Sequence, residues 1–359
     1  VTYQPSRPEV SVIVPAFNVA PYLAETLDSI LAQTYRNFEV LLVNDGSTDD
    51  TRLIAERYQD RDSRVRVVSH PQKRGVSAAR NTALENSRGV FYALLDGDDV
   101  AMPHRLQAQV DALRDNPEVG MVGSHVGVID GNGRETGLIW RRPTSSKDAA
   151  IGLLFRNTFS AVVLLRRDAV PEGGYRLAIA EDYDFNVRVA RHWSVFNLDE
   201  VLTRVRVRTT GLTHTRPEMM EKCVREVIQE QLAQLGLACS SRECEVHRHI
   251  GERHLPPSLT LLDEVDVWLR RLEAANNTSA RYDVGAFRSV LAREWFQVCL
   301  AATELGMVVL LRYRVSKYGR DLRLSIAEWT RFGVKCSIRH RRIDSGRLKI
   351  SSAKLSEEH

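Results

Sequence analysis

The chain has 359 residues, about two domains' worth at ~150 residues each, with 43% hydrophobic and 27% charged residues, the balance of a globular protein. Fifty Lys and Arg against 46 Asp and Glu leave a net charge of +4, too small to imply a nucleic-acid partner, and the same composition excludes collagen-like and wholly disordered chains. The opening VTYQPSRPEV carries no apolar signal segment, and the longest nearly apolar run, Val298 to Leu311, contains Glu304 and is too short to span a bilayer, so a channel or transporter is not expected.

Val10 to Val14 (VSVIV) predicts the first strand, Phe38 to Val43 the second, Val65 to Val68 the third and Val90 to Leu95 the fourth. Continuous apolar runs of this length mark strands buried on both faces. Helical spacing falls between them: Tyr22, Leu23, Thr26, Leu27, Ile30 and Leu31, then a segment that Ser47 or Thr48 would cap, then Ser77 to Leu84 and His104 to Leu113. Alternating strands and helices predict an α/β fold, a mostly parallel sheet flanked by helices, whose ligands sit beyond the carboxyl ends of the strands. A further helix is expected over Tyr183 to Ala190, and a late strand before VRVRTTGLTH.

From Arg216 the texture becomes helical, with amphipathic patterns over Pro217 to Leu235, Ser258 to Leu272 and Val284 to Leu305. Residues 1–215 are therefore read as one domain and 216–359 as a smaller, all-helical region ending in a basic tail, with twelve Lys or Arg between Arg312 and Lys349 against Asp321, Glu328 and Asp344. That tail suits peripheral contact with anionic lipid headgroups, or is a solvated charged surface. Trp268, Trp295 and Phe296 are expected in a helical core. The five cysteines, all in the C-terminal part, fit reduced thiols of a cytoplasmic protein. Cys239, Cys244, His247, His249 and His254 crowd together, but their spacing is not that of structural zinc sites.

Polar groups follow each strand: Pro15-Ala16-Phe17-Asn18, then Asn44-Asp45-Gly46-Ser47, then Asp96-Gly97-Asp98-Asp99. No G-x-G-x-x-G or Walker loop is present, which removes dehydrogenase and P-loop readings. Two carboxylates flanking a glycine at a strand end repel each other, and a hard divalent cation shared with substrate phosphates relieves that repulsion. An Asp-rich turn leading into the next helix is the alternative, and Asp99 is read as a cap. Asp45 reads as a turn residue or as an acceptor for a nucleobase edge. Arg80 reads as a surface charge or as a fork for base or phosphate. Glu181-Asp182-Tyr183-Asp184 suits the first turn of a helix, or a general base near an acceptor hydroxyl. Gly173-Gly174-Tyr175 reads as a flexible loop able to carry acceptor contacts. Arg206, Arg208 and His214 read as strand-edge charges or diphosphate contacts.

In order, VSVIVPAFN, VLLVNDGSTDDT, GVSAARNTAL, ALLDGDD and AEDYDF resemble the motif series of family 2 glycosyltransferases, over the first 215 residues or so. The resemblance implies a GT-A fold and transfer of a sugar from a nucleotide diphosphate sugar, with a uridine nucleotide favoured, Mn²⁺ or Mg²⁺ as cofactor and inversion at the anomeric carbon. It implies nucleoside contacts at Pro15, Ala16, Asn18, Asp45 and Arg80, ribose or metal contacts at Asp96, metal at Asp98, and Asp182 as base beside Glu181. Where relatives carry a histidine after the late strand this chain has Arg208, with His214 further on, and which of the two meets diphosphate or metal stays open. The Q-x-x-R-W signature of processive synthases has only a faint echo in Arg191-His192-Trp193, which favours a single addition. The implied acceptor is saccharide, lipid-linked or protein-linked, in bacterial surface polysaccharide or glycoconjugate synthesis, and self-association is left open. Competing readings are a binding protein for a nucleotide sugar or lipid carrier without turnover, and a nucleotidyltransferase, which would want a glycine-rich basic loop after the first strand.

Overall fold

The computed structural model describes residues 7–208, 216–253, 256 and 258–339. Packing divides the chain into two units, Val1–Ala238 and Cys239–His359.

The first unit runs β1 (Val10–Ala16), α1 (Ala20–Leu31), β2 (Phe38–Asn44), α2 (Thr51–Arg61), β3 (Val65–Ser69), α3 (Val76–Asn86), β4 (Phe91–Leu94), β5 (Val100–Ala101) and α4 (Arg105–Asp115). It continues through β6 (Val119–Ile129), β7 (Glu135–Trp140), α5 (Ser146–Gly152), β8 (Leu164–Arg166), α6 (Glu181–Val189), β9 (Ser194–Arg206) and α7 (Pro217–Gln234). The strands form one mixed sheet in the order β3-β2-β1-β4-β8-β6-β9-β5, with β7 paired to β6. The β3-β2-β1-β4 half is parallel, as is the long β6–β9 ladder, so most of the pairing is parallel. β8 enters antiparallel to both β4 and β6.

Alternate residues of the central strands feed two cores, one on each face, which is why the strands read as unbroken apolar runs. Val12, Val14, Val40 and Leu42 face Leu23, Leu27 and Ile30 of α1. Ile13, Leu41 and Val43 share the opposite core with Ala79 and Ala83 of α3, Phe185 of α6, and Cys223 and Val227 of α7. Helix α7, which the sequence pattern groups with the C-terminal helices, thus packs within the sheet unit, where Gln231 donates to the Leu153 carbonyl at 3.0 Å.

The second unit holds α8 (Ser241–Glu252), α9 (Leu259–Ser279), α10 (Val284–Ala301), α11 (Met307–Val315), α12 (Lys317–Asp321) and α13 (Ile326–Ser337). Ser240 and Glu243 form a reciprocal capping box at the start of α8, as Ser325 and Glu328 do at α13. Trp268, Trp295 and Phe296 are buried. The expectation of five reduced thiols needs correction: Cys239 and Cys244 are joined in a disulfide, while Cys223, Cys299 and Cys336 are free and buried. The bonded pair closes a short loop leading into α8, and His247 accepts a hydrogen bond from the Trp268 indole at 3.0 Å. His254 lies outside the described residues.

Candidate active site

The parallel strands β1, β2 and β4 deliver their carboxyl ends to one edge of the sheet, and the loops there are tied together by side chains. Asn18 follows β1 with φ +50°, a left-handed conformation that asparagine tolerates better than most residues. Its backbone N–H donates to Ser47 Oγ at 3.1 Å, and its Oδ1 accepts from the Thr48 N–H at 2.9 Å, clamping the first strand loop to the second.

Asp45, at the end of β2, is buried. Its Oδ1 accepts from the Arg74 N–H at 2.8 Å and from His70 Nδ1–H at 2.7 Å, and its Oδ2 accepts from the Gly75 N–H at 2.7 Å. A carboxylate offers about four lone-pair sites, so roughly one, on Oδ2, is left for a ligand. Gly46 allows this loop to close: its φ is +68°, and a Cβ there would lie 2.5 Å from the Gln72 carbonyl carbon. Lys73 covers the Phe17 ring at 3.8 Å, a cation–π contact at the same edge.

After β4, a Cβ on Gly97 would sit 3.1 Å from the Pro15 carbonyl oxygen and 3.5 Å from the Ala16 Cβ. The glycine of Asp96-Gly97-Asp98 is therefore what allows the acidic loop to lie against β1. Asp96 accepts from Arg80 at 2.7 Å, and Asp98 pairs with Arg208 Nε at 2.6 Å. Asp99 is not a helix cap. Its buried carboxyl accepts from the Arg206 N–H at 2.9 Å, while Arg206 Nε donates to the Asp98 carbonyl and its Nη2 to Glu25. Arg206 thus fixes the acidic loop from within, and both it and Arg208 lie over the Tyr22 ring. Burial raises the Asp98 pKa, Asp96 adds to the rise, and Arg208 opposes it. Asp99 is pushed well above the usual carboxylate range by burial and by Asp98. His214 lies outside the described residues.

Arg80 corrects the surface-charge reading. Its side chain is 2% exposed, and its fork bridges Asp96 at 2.7 Å and Glu181 Oε1 at 2.6 Å. Burial works against its charge, but Asp96 and Glu181, with Tyr175 and Asp182 beyond them, hold its pKa well above the ordinary value. Glu181 and Asp182 open α6 just after Ala180, whose φ of +55° is a strained conformation for a residue with a Cβ. Burial pushes the Glu181 carboxyl up to about 7, against the pull of Arg80 and with the help of Asp182. Burial likewise raises Asp182, again opposed by Arg80. Asp182 Oδ2 accepts from Asn157 Nδ2 at 2.9 Å and its Oδ1 from the Tyr183 N–H at 2.8 Å, which leaves about half of its lone-pair sites open. Asp184 is a structural residue, buried between Arg176 and Arg188. Gly173-Gly174-Tyr175 is pinned rather than loose: Asn81 brackets Tyr175 at both its N–H and its carbonyl, and the Tyr175 ring stacks on Phe185 at 4.2 Å.

The structure therefore gathers Arg80, Asp96, Glu181 and Asp182 into one cluster, with Asp98 and Arg208 coupled to it through Asp96, and sets Asn18 and Asp45 on the neighbouring loops. Sequence reasoning missed Asn157, Lys73 and His70, which carry no motif of their own. Among the described residues no group of three or more His, Cys, Asp or Glu side chains is arranged to hold a metal by itself. Mg²⁺ and Mn²⁺ ask less of a protein than that, since one or two carboxylates suffice when substrate phosphates complete the shell. The hard oxygen donors of Asp98 and Asp96 fit such an ion.

Comparison with known proteins identifies the family. The sequence profile described as "Glycosyl transferase family 2" matches residues 11–174. An "Uncharacterized glycosyltransferase" of Haemophilus influenzae is 31% identical over 248 residues, 64% of this chain and 76% of that protein. The "Putative teichuronic acid biosynthesis glycosyltransferase TuaG" of Bacillus subtilis is 38% identical over 107 residues, 30% of this chain and 42% of its own length. In structure, S. aureus TarS 1-349 in complex with UDP-GlcNAc superposes with a TM-score of 0.54 at 20% identity, covering 79% of this chain and 90% of that one. Mannosyltransferase PcManGT from Pyrobaculum calidifontis, in complex with GDP-Man and Mn²⁺, gives 0.50 at 21% identity over 89% and 86%. The mixed, mostly parallel sheet flanked by helices is a GT-A-like fold. The chain belongs to glycosyltransferase family 2 and is a glycosyltransferase.

Proposed function

We propose that the protein transfers a sugar, with inversion, from a nucleotide diphosphate sugar, a UDP-sugar above others, to an acceptor hydroxyl in bacterial surface polysaccharide or glycoconjugate synthesis. The observation that carries this reading is the buried Arg80 fork, which joins the acidic loop after β4 to the first turn of α6. Relatives and neighbours support it in kind: one relative carries a putative role in teichuronic acid biosynthesis, and solved neighbours hold UDP-GlcNAc, or GDP-Man with Mn²⁺.

In this reading the nucleoside lies along Pro15, Ala16 and Asn18, with its base edge toward Asp45 and Arg80 behind it. Asp98 and Asp96 would hold Mn²⁺ or Mg²⁺. When bound, that ion supplies positive charge to the departing diphosphate. Arg208, which among the described residues pairs with Asp98 and is about a quarter exposed, can turn to a phosphate instead. His214, further along the same segment, is the other candidate for that contact. Asp182 takes the proton of the acceptor hydroxyl as it attacks the anomeric carbon. Burial raises the Asp182 pKa above its ordinary value, the direction that suits a base. Glu181 and Arg80 fix its position and charge. One displacement from the face opposite the leaving group inverts the anomeric centre, and no enzymic nucleophile is required.

The acceptor is a saccharide, free or linked to lipid or protein. Among the described residues no helix is long and apolar enough to cross a membrane. Contact with an anionic membrane surface is favoured by Met307, Leu311 and Val315, one face of α11 at four-residue spacing, which are 50, 64 and 76% exposed. Residues 307–339 carry eight Lys or Arg against Asp321 and Glu328.

Donor binding is tested by thermal shift with nucleotide sugars, with and without Mn²⁺. At a hundred times Kd a ligand adds about 2.7 kcal/mol, or roughly 5–11 °C for a domain of this size. The cognate donor should raise Tm, more so with metal, and Asp98→Ala should lose the metal-dependent increment. A melting point unmoved by every nucleotide sugar with metal would refute the proposal.

A further inference from the structure

The proposed base stands beside a guanidinium that the fold leaves short of counter-charge. Arg142 follows β7, and its Nη1 donates to the Asn157 carbonyl at 3.4 Å and its Nη2 to Ser160 Oγ at 3.2 Å, both neutral acceptors. Its Nε has no partner, and among the described residues no carboxylate forms an ion pair with it. Three buried arginines of the same unit are matched by carboxylates, Arg80 by Asp96 and Glu181, Arg188 by Asp184 and Arg206 by Glu25, whereas buried Arg105 donates to Gln109 and the Leu94 carbonyl. Burial lowers the Arg142 pKa, Asp182 works against that, and a second guanidinium, Arg156, adds to the lowering. A second guanidinium, that of Arg156, therefore lies near that of Arg142.

The place is close to the reacting centre. Asn157 accepts from Arg142 through its carbonyl and donates to Asp182 Oδ2 at 2.9 Å through its side chain, so one residue separates the guanidinium from the base. Beside it Trp140 is 38% exposed, with its ring centre 5.9 Å from the Arg142 guanidinium carbon. An exposed indole face packs against the apolar face of a sugar ring, and a guanidinium fork binds carboxylate or phosphate in a bidentate manner.

We propose that Trp140, Arg142 and Arg156 form an acceptor subsite for a saccharide that bears an anionic group, carboxylate or phosphate, near the hydroxyl to be glycosylated. Trp140 carries the ring, the arginines hold the anion, and the neighbouring hydroxyl is thereby presented to Asp182. This assignment rests on Asp182 acting as the base.

The test uses the full chain with UDP and Mg²⁺, and ligand-observed NMR titration of four probes: methyl glucuronide, methyl glucoside, glucose 6-phosphate and glucose. UDP binding by the unaltered protein is measured first and tests the donor reading by itself. The subsite predicts that each charged probe binds roughly tenfold or more tightly than its neutral counterpart, as expected for hydrogen bonds to a charged group. Comparing the two charged probes distinguishes carboxylate from phosphate. Arg142→Met should bring charged and neutral probes to equal affinity with UDP affinity unchanged, and Arg142→Lys, which keeps the charge, should retain part of the preference. Equal affinities in the unaltered protein would overturn the proposal. So would an Arg142→Met variant that loses UDP affinity, since the arginine would then serve the donor diphosphate.

Discussion

Replacing Arg80 with methionine removes a cation that faces Asp96, Glu181 and Asp182 together, and it does so where the side chain is 2% exposed. Breaking a buried ion pair by deleting one partner costs about 3–5 kcal/mol, because the remaining charge stays desolvated. Against a typical total of roughly 5–15 kcal/mol this is a large fraction. At roughly 2–4 °C per kcal/mol for a unit of this size, the melting point of the sheet unit should fall by about 6–20 °C. The fall should also depend on pH with a definite sign. Glu181 has a folded-state pKa near 7 against an ordinary 4.5, so the folded state binds the extra proton, and the cost of ionising it is absent below the lower value and complete above the upper one. Without Arg80, which opposes that shift, the cost above neutrality grows. The gap in Tm between Arg80→Met and the unaltered protein should therefore be widest near pH 8 and narrow toward pH 5. In a cycle with Glu181→Gln, the double variant should be less destabilised than the sum of the singles, because the carboxylate left unpaired is gone. A variant melting within about 2 °C of the parent at pH 8, or a gap that does not change with pH, would refute the argument that this arginine neutralises the cluster.

The other predictions concern chemistry and surface. Asp182→Asn should keep donor affinity while kcat falls by about 10²–10⁴, the usual contribution of a general base, and equal turnover would remove Asp182 from that role. The acid limb of kcat/KM should lie at higher pH than an ordinary aspartate gives, because burial raises both Asp182 and the adjoining Glu181, and Glu181→Gln should move that limb to lower pH by removing the adjacent carboxylate. Cosedimentation with vesicles rich in anionic lipid should retain the protein at low salt, and paired Leu311→Glu and Val315→Glu changes should release it. Retention unaffected by those changes would place the contact elsewhere.

Legibility in the sequence followed burial and range. The central strands were readable because both of their faces are covered, which makes them continuously apolar. Strand β6 was not, although it is among the longest. Gly120 lies where a Cβ would meet the Trp193 side chain at 2.5 Å, and Gly123 where one would meet Asn197, so close packing replaces apolar residues with glycine and erases the signal. Strand β7 is exposed throughout and β8 has three residues, too little pattern for either to show. The acidic positions were legible as strand-end clusters, but their partnership was not. Arg80 meets Asp96 and Glu181 across 16 and 101 residues, and Asn157 reaches Asp182 from a segment without a motif. The Cys239–Cys244 bond escaped a reading based on cysteine number, which says nothing about two thiols brought together at the start of one helix.

The charges at the sheet edge divide into those the fold satisfies and those it leaves for something else. Arg80 and Arg206 are each 2% exposed and tied to carboxylates on different elements, so they serve as fixed struts of the site. Arg208 is 25% exposed, has the Asp98 carboxylate as its ion-pair partner, and lies two residues beyond the end of β9. Burial, with Asp96 beside it, keeps the Asp98 pKa raised in spite of that partner, so its ionised carboxylate is under-stabilised in the folded chain. A dication arriving with a diphosphate would correct the deficit at Asp98 and at the same time offer Arg208 a new anion. On this argument, donor and metal should each bind more tightly in the presence of the other, and removing the Arg208 charge should weaken that mutual dependence rather than metal binding alone. Metal affinities measured with and without UDP in Arg208→Gln decide it, and a coupling equal to that of the unaltered protein would show that Arg208 merely holds Asp98 in place.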